Sequence, residues 1–496
     1  MDLNPDACYR AVRLRDARFD GRFFTGVRTT RIYCRPVCPA PTPLRRNVVF
    51  YPTAAAAQEA GLRPCLRCRP ETAPDIGAWR GTSNTISRAL TLIEHGALDE
   101  ASIDALALRL GLGERQLRRL FRQHLGASPV AVAQTRRILL ARQLIHETRL
   151  PMTQIAFASG FGSIRRFNEV FQQLYGRPPM QLRRANAAAV PGGSPDPAGE
   201  IHLSLSYQPP YDWQAMLQFL QARAIAGVEE VRGDRYIRSI GLNGQQGTVT
   251  VRPGDARALH ATIRFPQLAA LPLIIARLRR VFDLGADARA IAAHLARDPM
   301  LAPLIRARPG LRLPGAWDGF ELAIRAVLGQ QISVAAAARL AARLVAAHGE
   351  PLRAPAGTLT HVFPQPAALA AADLGSAGLP RSRAATLTAV AAAACADPRL
   401  FDPYRDLDQA VSALRAIRGV GDWTAQYIAM RQLREPDAFP AADLVLLRAA
   451  ATLHGQSLTP AALLQRAERW RPWRAYAAQY LWTCNFSSPA VFCPQT

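Results

Sequence analysis

Four cysteines restrict the first 75 residues more than any other feature of this chain. Cys34, Cys38, Cys65 and Cys68 form two close pairs, Cys-x3-Cys and Cys-x2-Cys, separated by 26 residues. Their surroundings, "RIYCRPVCPA" and "RPCLRC", are too polar and too rich in proline to be core elements. Four thiolates in two close pairs are the donor set that tetrahedral zinc prefers, so one Zn2+ is expected here. The spacing leaves two roles open: a closed, inert clip, or a site in which one thiolate reacts.

Charge narrows the partners. The net charge is +24, and the first 185 residues hold +15 of it, with 29 Arg against 14 acids. Such an excess points to a polyanion, nucleic acid before membrane surface, with a merely basic soluble protein as the bland alternative. Every one of the 61 basic residues is Arg. A chain without lysine has no amine side chain to form a Schiff base. The N-terminus lacks the apolar stretch of a signal peptide, and no uninterrupted apolar run reaches membrane-spanning length. With eight cysteines that lack secreted-framework spacing, the cytoplasm is the expected compartment. At 496 residues the chain exceeds a single core, and roughly three domains are expected from length.

Between 85 and 184 the sequence is helical and repeats itself. "LALRLGLGERQLRRLFRQHLGASP" (106–129) and "IAFASGFGSIRRFNEVFQQLYGRPP" (155–179) share one frame: a small apolar helix, Gly, an Arg-rich helix, Phe, Gly, Pro. Gly111 and Gly160 fall where a helix-turn-helix needs its turn, and Phe121 and Phe171 would seal each second helix to its core. Two Arg-rich second helices in tandem suit DNA reading, the N-terminal part of each facing the bases. Those parts hold Glu114, Arg115, Gln116, Arg118 and Arg119, then Ser163, Ile164, Arg165, Arg166 and Asn168. The alternative is a helical bundle with solvated Arg faces. The pair resembles an AraC-family DNA-binding domain.

The cysteine segment, read with its flanks, is "FTGVRTTRIYCRPVCPAPTPLRRNVVFY" followed by "AAGLRPCLRC". It resembles the Ada-type methylphosphotriester domain over roughly residues 5–72, and the order zinc domain then AraC domain is that of the Ada regulators. The resemblance implies that all four cysteines hold zinc and that Cys34 takes the methyl group from a methylated DNA phosphate. Losing one thiolate to a thioether would cut the cluster's net charge from −2 to −1 and ease its approach to DNA, a one-shot electrostatic switch. Full Ada regulators add a second methyltransferase with a Pro-Cys-His-Arg site; this chain has no such motif, so repair of O6-methylguanine is not expected.

A third signature lies near the C-terminus. "LRAIRGVGDWTAQYIAM" (414–430) reads as helix, Gly-Val-Gly turn, helix, in which Gly419 and Gly421 would admit a DNA phosphate to backbone amides. "REPDAFPAADLVLLRAA" follows, with Asp443 twenty residues after Trp423, and "RWRPWRAYAAQYLW" closes the pattern. Together with "LPGAWDGFELAIRAVLGQQISVAAAARL" (313–340), these resemble the AlkA-type 3-methyladenine glycosylases of the helix-hairpin-helix superfamily, over about 201–482. The resemblance implies Asp443 as catalytic carboxylate, a base pocket of Trp423, Tyr427 and Trp482, Gln331 at the wedge position, and Gly419 and Gly421 in the hairpin. From the residues alone, Asp443 could equally cap the helix "LVLLRAA", and the aromatics could be core. Bifunctional relatives use a lysine to cut the strand; none exists here, so a monofunctional glycosylase is expected. Cys484 and Cys493 are too few for an iron–sulfur cluster.

The expected architecture is multidomain α+β. It comprises a small α/β zinc domain (1–75), an all-α tandem helix-turn-helix domain (80–185) and a linker (186–200). A small β-rich, TBP-like domain (201–284), an all-α helix-hairpin-helix glycosylase domain (285–482) and a tail (483–496) follow. The expected function is a response to DNA alkylation, combining methyl acceptance at Cys34 and transcriptional regulation with release of alkylated bases from duplex DNA. Alternatives are a transcription factor with a vestigial glycosylase, or a glycosylase with a purely structural zinc tether. Expected partners are alkylated and promoter DNA and RNA polymerase, with no membrane, in a cytoplasmic, nucleoid-associated protein.

Overall fold

A computed structural model describes residues 4–74, 84–184 and 200–484, apart from 95, 100, 255–256, 376–378 and 403–406. Nearly all of the expected linker, and the tail from 485 onward, lie outside the described residues; Glu200 already opens a strand.

The zinc segment forms a four-stranded sheet from β1 (Phe24–Val27), β2 (Ile32–Cys34), β3 (Val48–Tyr51) and β4 (Arg63–Pro64), in the order β3-β1-β2-β4. β2 and β4 pair in parallel, Ile32 opposite Arg63 and Tyr33 opposite Pro64. One step further along this register Cys34 meets Cys65, so strand pairing closes the 26-residue gap between the cysteine pairs. The helices Pro5–Arg13 and Ala54–Glu59 flank the sheet.

The helix-turn-helix units are Ile103–Arg109 with Glu114–Leu125, and Met152–Ala158 with Ile164–Tyr175. Phe121 and Phe171 are fully buried beneath the second helices. The long helix Pro129–Glu147 connects the units. It also binds the zinc segment: Thr135 donates to Gln58 at 3.0 Å, and Arg142 pairs with Glu71.

β5 (Glu200–Ser206), β6 (Glu229–Arg232), β7 (Arg235–Leu242), β8 (Gln245–Pro253) and β9 (Ala258–Arg264) form an antiparallel sheet in the order β5-β9-β8-β7-β6. This sheet shares one apolar core with the second helix-turn-helix unit: Ile145, Ile155 and Phe171 pack in the same cluster as Ile201, Leu203 and Leu271. Glu147 accepts the Ser204 amide N–H at 2.9 Å, and Gln143 donates to the Ser204 carbonyl at 2.9 Å. The domains on either side of the expected linker bury apolar faces against each other.

Beyond Ala286 a second large core takes over, built on helices such as Gly319–Leu328. The sequence reads as wholly helical here, yet β10 (Glu350–Ala356) and β11 (Leu359–Val362) form a ribbon. The ribbon packs against the larger sheet: Ser239 donates to the His361 carbonyl, at 2.5 Å. A buried ion network binds sheet to helices, with Arg238 to Glu321 at 2.8 Å and Arg325 to Glu321 at 2.6 Å. No helix among the described residues is long and apolar enough to cross a membrane.

Candidate functional site

The sulfurs of Cys34, Cys38, Cys65 and Cys68 lie within 4.8 Å of one another. Cys65 and Cys68 are buried, whereas Cys34 and Cys38 are partly exposed. The amides of Arg35 and Arg67 point at the sulfurs of Cys68 and Cys65, at 3.3 and 3.4 Å. Arg35 fixes the loop through Asp20, the Cys68 carbonyl (3.2 Å) and Thr72. Hydrogen bonding from Cys34 brings the Cys38 thiol down to about 7, while Cys34 is pushed up by its bonds to Cys38, Cys65 and Cys68. Four sulfurs competing for shared protons, with N–H donors aimed at two of them, fit one Zn2+. Cys34 is the member of the set that is both partly exposed and at the end of a strand.

On the second helix of each helix-turn-helix unit Arg115, Arg118, Arg119, Ser163, Arg165 and Arg166 are all exposed. Ser163 caps its helix by accepting the Arg166 amide at 3.2 Å. Arg118 is held by Glu114, and Arg165 by Glu169 at 2.8 Å, so each guanidinium carries a carboxylate partner on its own helix.

The third site is a cleft of about 1420 Å³ between the sheet and the helices. Asp443 lines it as the N-cap of Leu444–His454, accepting the amides of Val445 and Leu446, both at 2.9 Å. The same carboxylate accepts the indole N–H of Trp423 at 2.7 Å and of Trp482 at 3.1 Å. Capping and presentation in the cleft are therefore one arrangement: the helix start fixes Oδ1 and the indoles fix both oxygens.

Trp423 and Tyr427 stack at 5.2 Å and 13°, and Trp482 meets Tyr427 edge-on at 6.2 Å. Arg431, one turn beyond Tyr427, sets its guanidinium carbon 4.8 Å from that ring. Tyr427 therefore lines the cleft with Trp423 stacked on it and Arg431 beside it. Trp423, Tyr427 and Trp482, the three expected pocket aromatics, all line this cleft.

The hairpin glycines have different duties. Gly419 adopts φ +86°, and an added Cβ would lie 2.0 Å from the Thr386 hydroxyl. Gly421 is the N-cap of Asp422–Ile428, and an added Cβ there would meet nothing within 4 Å. Close approach to a phosphate is thus open at Gly421, while Gly419 serves the turn. Gln331 is exposed with φ +59°, an unusual conformation for a side-chain-bearing residue. Its neighbour Gln330 binds the hairpin, donating to Gly419 O (3.3 Å) and Thr424 (3.1 Å). Two contributors escaped the sequence reading: Gln330 and Arg431. Their signal was spacing alone, since Arg431 follows Trp423 and Tyr427 at four-residue steps, and in so Arg-rich a chain it did not stand out.

Four family profiles match in chain order: "Metal binding domain of Ada" at 7–71, a "Helix-turn-helix domain" at 106–185, "AlkA N-terminal domain" at 202–318, and "HhH-GPD superfamily base excision DNA repair protein" at 324–475. The Escherichia coli protein "DNA-3-methyladenine glycosylase 2" is 38% identical over 56% of this chain and 96% of its own. "Bifunctional transcriptional activator/DNA repair enzyme Ada" of the same organism is 34% identical over 36% of this chain and 49% of its own. The solved "3-methyladenine dna-glycosylase from Archaeoglobus fulgidus" shares the fold, with TM-score 0.51, 22% identity and coverage of 56% of this chain and 96% of that one. A Mycobacterium tuberculosis protein, "Probable bifunctional transcriptional activator/DNA repair enzyme AlkA", is 42% identical over 96% of both chains. With such identity along almost its whole length, this chain belongs to the family of bifunctional transcriptional activator and DNA repair enzymes that join an Ada-type half to an AlkA-type glycosylase.

Proposed function

We propose that the chain senses DNA alkylation at Cys34 and removes alkylated bases at Asp443. The observation that supports the glycosylase reading most directly is the Asp443 carboxylate, fixed by two indoles and two amides in the lining of an aromatic cleft.

Base release breaks the bond from C1′ of the sugar to the base nitrogen, and the electron pair departs with the base. Positive charge grows on the sugar as it does so. A preorganised carboxylate beside the ring stabilises that charge without having to reorient. Water then bonds to C1′ and gives up a proton, to Asp443 or to solvent. Four N–H donors already occupy Asp443, and Oδ2, with the single partner Trp423, is the oxygen with room for the water. A base alkylated on a ring nitrogen starts as a cation and leaves neutral, so it departs readily. Extrusion of the nucleotide is the task of the Gln331 tip, clipped through Gln330 to the hairpin that grips the strand at Gly421.

At the other end, bound zinc keeps the cysteines as thiolates near neutral pH. Cys34 Sγ attacks the methyl carbon, the S–C bond forms, and the C–O bond breaks with its electrons on the phosphate oxygen. A triester becomes a diester, and the methyl stays on the protein. The helices led by Arg115, Arg118 and Arg119, and by Arg165 and Arg166, then hold promoter DNA, and RNA polymerase is the partner that activation would require.

The deciding experiment incubates the zinc-loaded protein with DNA carrying methylphosphotriesters and maps the cysteine peptides by mass. A single added CH2 on Cys34 is expected. An unmodified Cys34 beside intact base release would reduce the zinc site to a structural clip.

A further inference from the structure

Gln331 stands exposed between two helices, Gly319–Leu328 and Val334–His348, in a left-handed conformation that a residue with a side chain rarely adopts. Strained backbone persists where its surroundings over-determine it, and it gathers at functional positions. Here the constraint falls on the residue before it, Gln330, which is held at two points. Its side-chain amide donates to the Gly419 carbonyl at 3.3 Å and to the Thr424 hydroxyl at 3.1 Å. Its backbone carbonyl accepts from Nη2 of Arg383 at 2.8 Å. That carbonyl belongs to the rigid peptide plane joining Gln330 to Gln331, so fixing it fixes the direction from which Gln331 departs.

Arg383 is the third residue of the helix Arg381–Ala396, and no acidic residue shares its turn. A cation in the first turn faces the positive end of the helix dipole, so the helix gains nothing from it. One turn further along, Thr386 lies against Gly419 of the hairpin. A single helix therefore braces both the hairpin and the peptide that leads into Gln331.

We propose that Arg383 is a positioning residue for nucleotide extrusion: through the Gln330 carbonyl it holds Gln331 in the conformation that enters the duplex. The inference rests on the glycosylase reading above, in which Gln331 is the wedge. Arg383 touches neither the base nor the sugar, and its part is complete before the C1′–N bond breaks. A base that is stacked and paired needs the wedge to leave the duplex. A base without a partner leaves at lower cost and needs the wedge less. Loss of Arg383 therefore weighs on the first kind of base more than on the second.

The test measures single-turnover release of 7-methylguanine by the full-length protein from two duplexes of the same flanking sequence. In one the damaged base is paired with cytosine; in the other it is a single-nucleotide bulge without a partner. Arg383→Met is expected to lower the ratio of paired to bulged release about ten-fold, as befits loss of a hydrogen bond from a charged donor. Arg383→Lys, which can still donate to the carbonyl, should restore part of that ratio. Gln331→Ala should lower the ratio too, and adding Arg383→Met to it should lower it no further, because the two residues act in series. An unchanged ratio in Arg383→Met, whether or not both rates fall, would overturn the inference and leave Arg383 a packing residue. Losses that multiply in the double variant would overturn it as well, and make Arg383 a direct DNA contact. A wild-type ratio in Gln331→Ala would remove the wedge, and the inference with it, while base release stood. A wild type that releases the base from neither duplex would fail the glycosylase reading itself.

Discussion

Arg142, on the helix that joins the two helix-turn-helix units, forms an ion pair at 3.0 Å with Glu71, three residues beyond the last zinc-site cysteine, and both side chains are fully buried. Arg142 also donates to the Cys65 carbonyl at 3.4 Å, and Arg69 bridges Glu71 (3.2 Å) and Glu147 (3.3 Å). Glu147 in turn holds Ser204 of β5. One short chain of contacts therefore runs from the zinc loop, across the connecting helix, to the first strand of the glycosylase half.

Breaking that pair by removing Glu71 leaves the Arg142 charge buried without its counter-ion, which costs roughly 3–5 kcal/mol, whereas replacing both partners with apolar groups of similar size can be neutral. Glu71→Gln should lower the denaturation midpoint of the zinc-loaded chain markedly, and Glu71→Leu with Arg142→Met should regain most of it. Urea titration followed by circular dichroism checks both. An unchanged midpoint in Glu71→Gln would mean that water reaches the pair.

At the cleft, Trp423→Phe keeps a ring against Tyr427 but removes the N–H that Asp443 accepts at 2.7 Å. A hydrogen bond to a charged group contributes about 1.5–3 kcal/mol, so single-turnover base release should fall by ten-fold or more. Asp443→Asn should abolish it while leaving promoter binding intact in a gel-shift titration. Retained base release in the Asn variant would remove Asp443 from the reaction.

Alanine at the two hairpin glycines should separate folding from DNA contact. Gly419→Ala forces a Cβ onto Thr386 at a positive φ and should destabilise the glycosylase half by about 1–2 kcal/mol or more. Gly421→Ala has open space and an ordinary φ of −84°, so its thermal midpoint should stay within experimental error. Weaker binding to undamaged duplex in Gly421→Ala, with that midpoint unchanged, would locate the phosphate contact there.

His146 supplies a pH dependence of known sign. Burial, with Arg142, Arg69 and Arg183 nearby, brings its folded pKa from 6.5 down to about 3. Between those values the unfolded chain binds a proton that the native chain does not, so stability is full above pH 6.5 and falls as the solution is acidified toward 3. The slope from this group is at most about 1.4 kcal/mol per pH unit, and less where solvent screens it. His146→Gln should flatten the wild-type curve between pH 6.5 and 4.5. Parallel curves would mean that the imidazole charges without penalty in the native state.

Local chemistry made much of this protein legible from its sequence. Cysteine spacing specifies the zinc donors because metal geometry acts over a few ångströms. The 49-residue repeat interval between Leu106 and Ile155 marks two helix-turn-helix units because each must bury its own Phe121 or Phe171. The hairpin glycines and the Trp423-to-Asp443 interval likewise carry their pattern within a single stretch of chain. Tertiary structure alone decided what depends on which surfaces meet. It merged the second helix-turn-helix unit with the β5–β9 sheet into one core. It set Tyr427 against Trp423 and Arg431, made Asp443 at once a helix cap and an indole-held carboxylate, and buried Arg431 among aromatic rings. Burial and desolvation depend on contacts between segments more than a hundred residues apart, such as Phe219 and Arg431, and no local pattern records them.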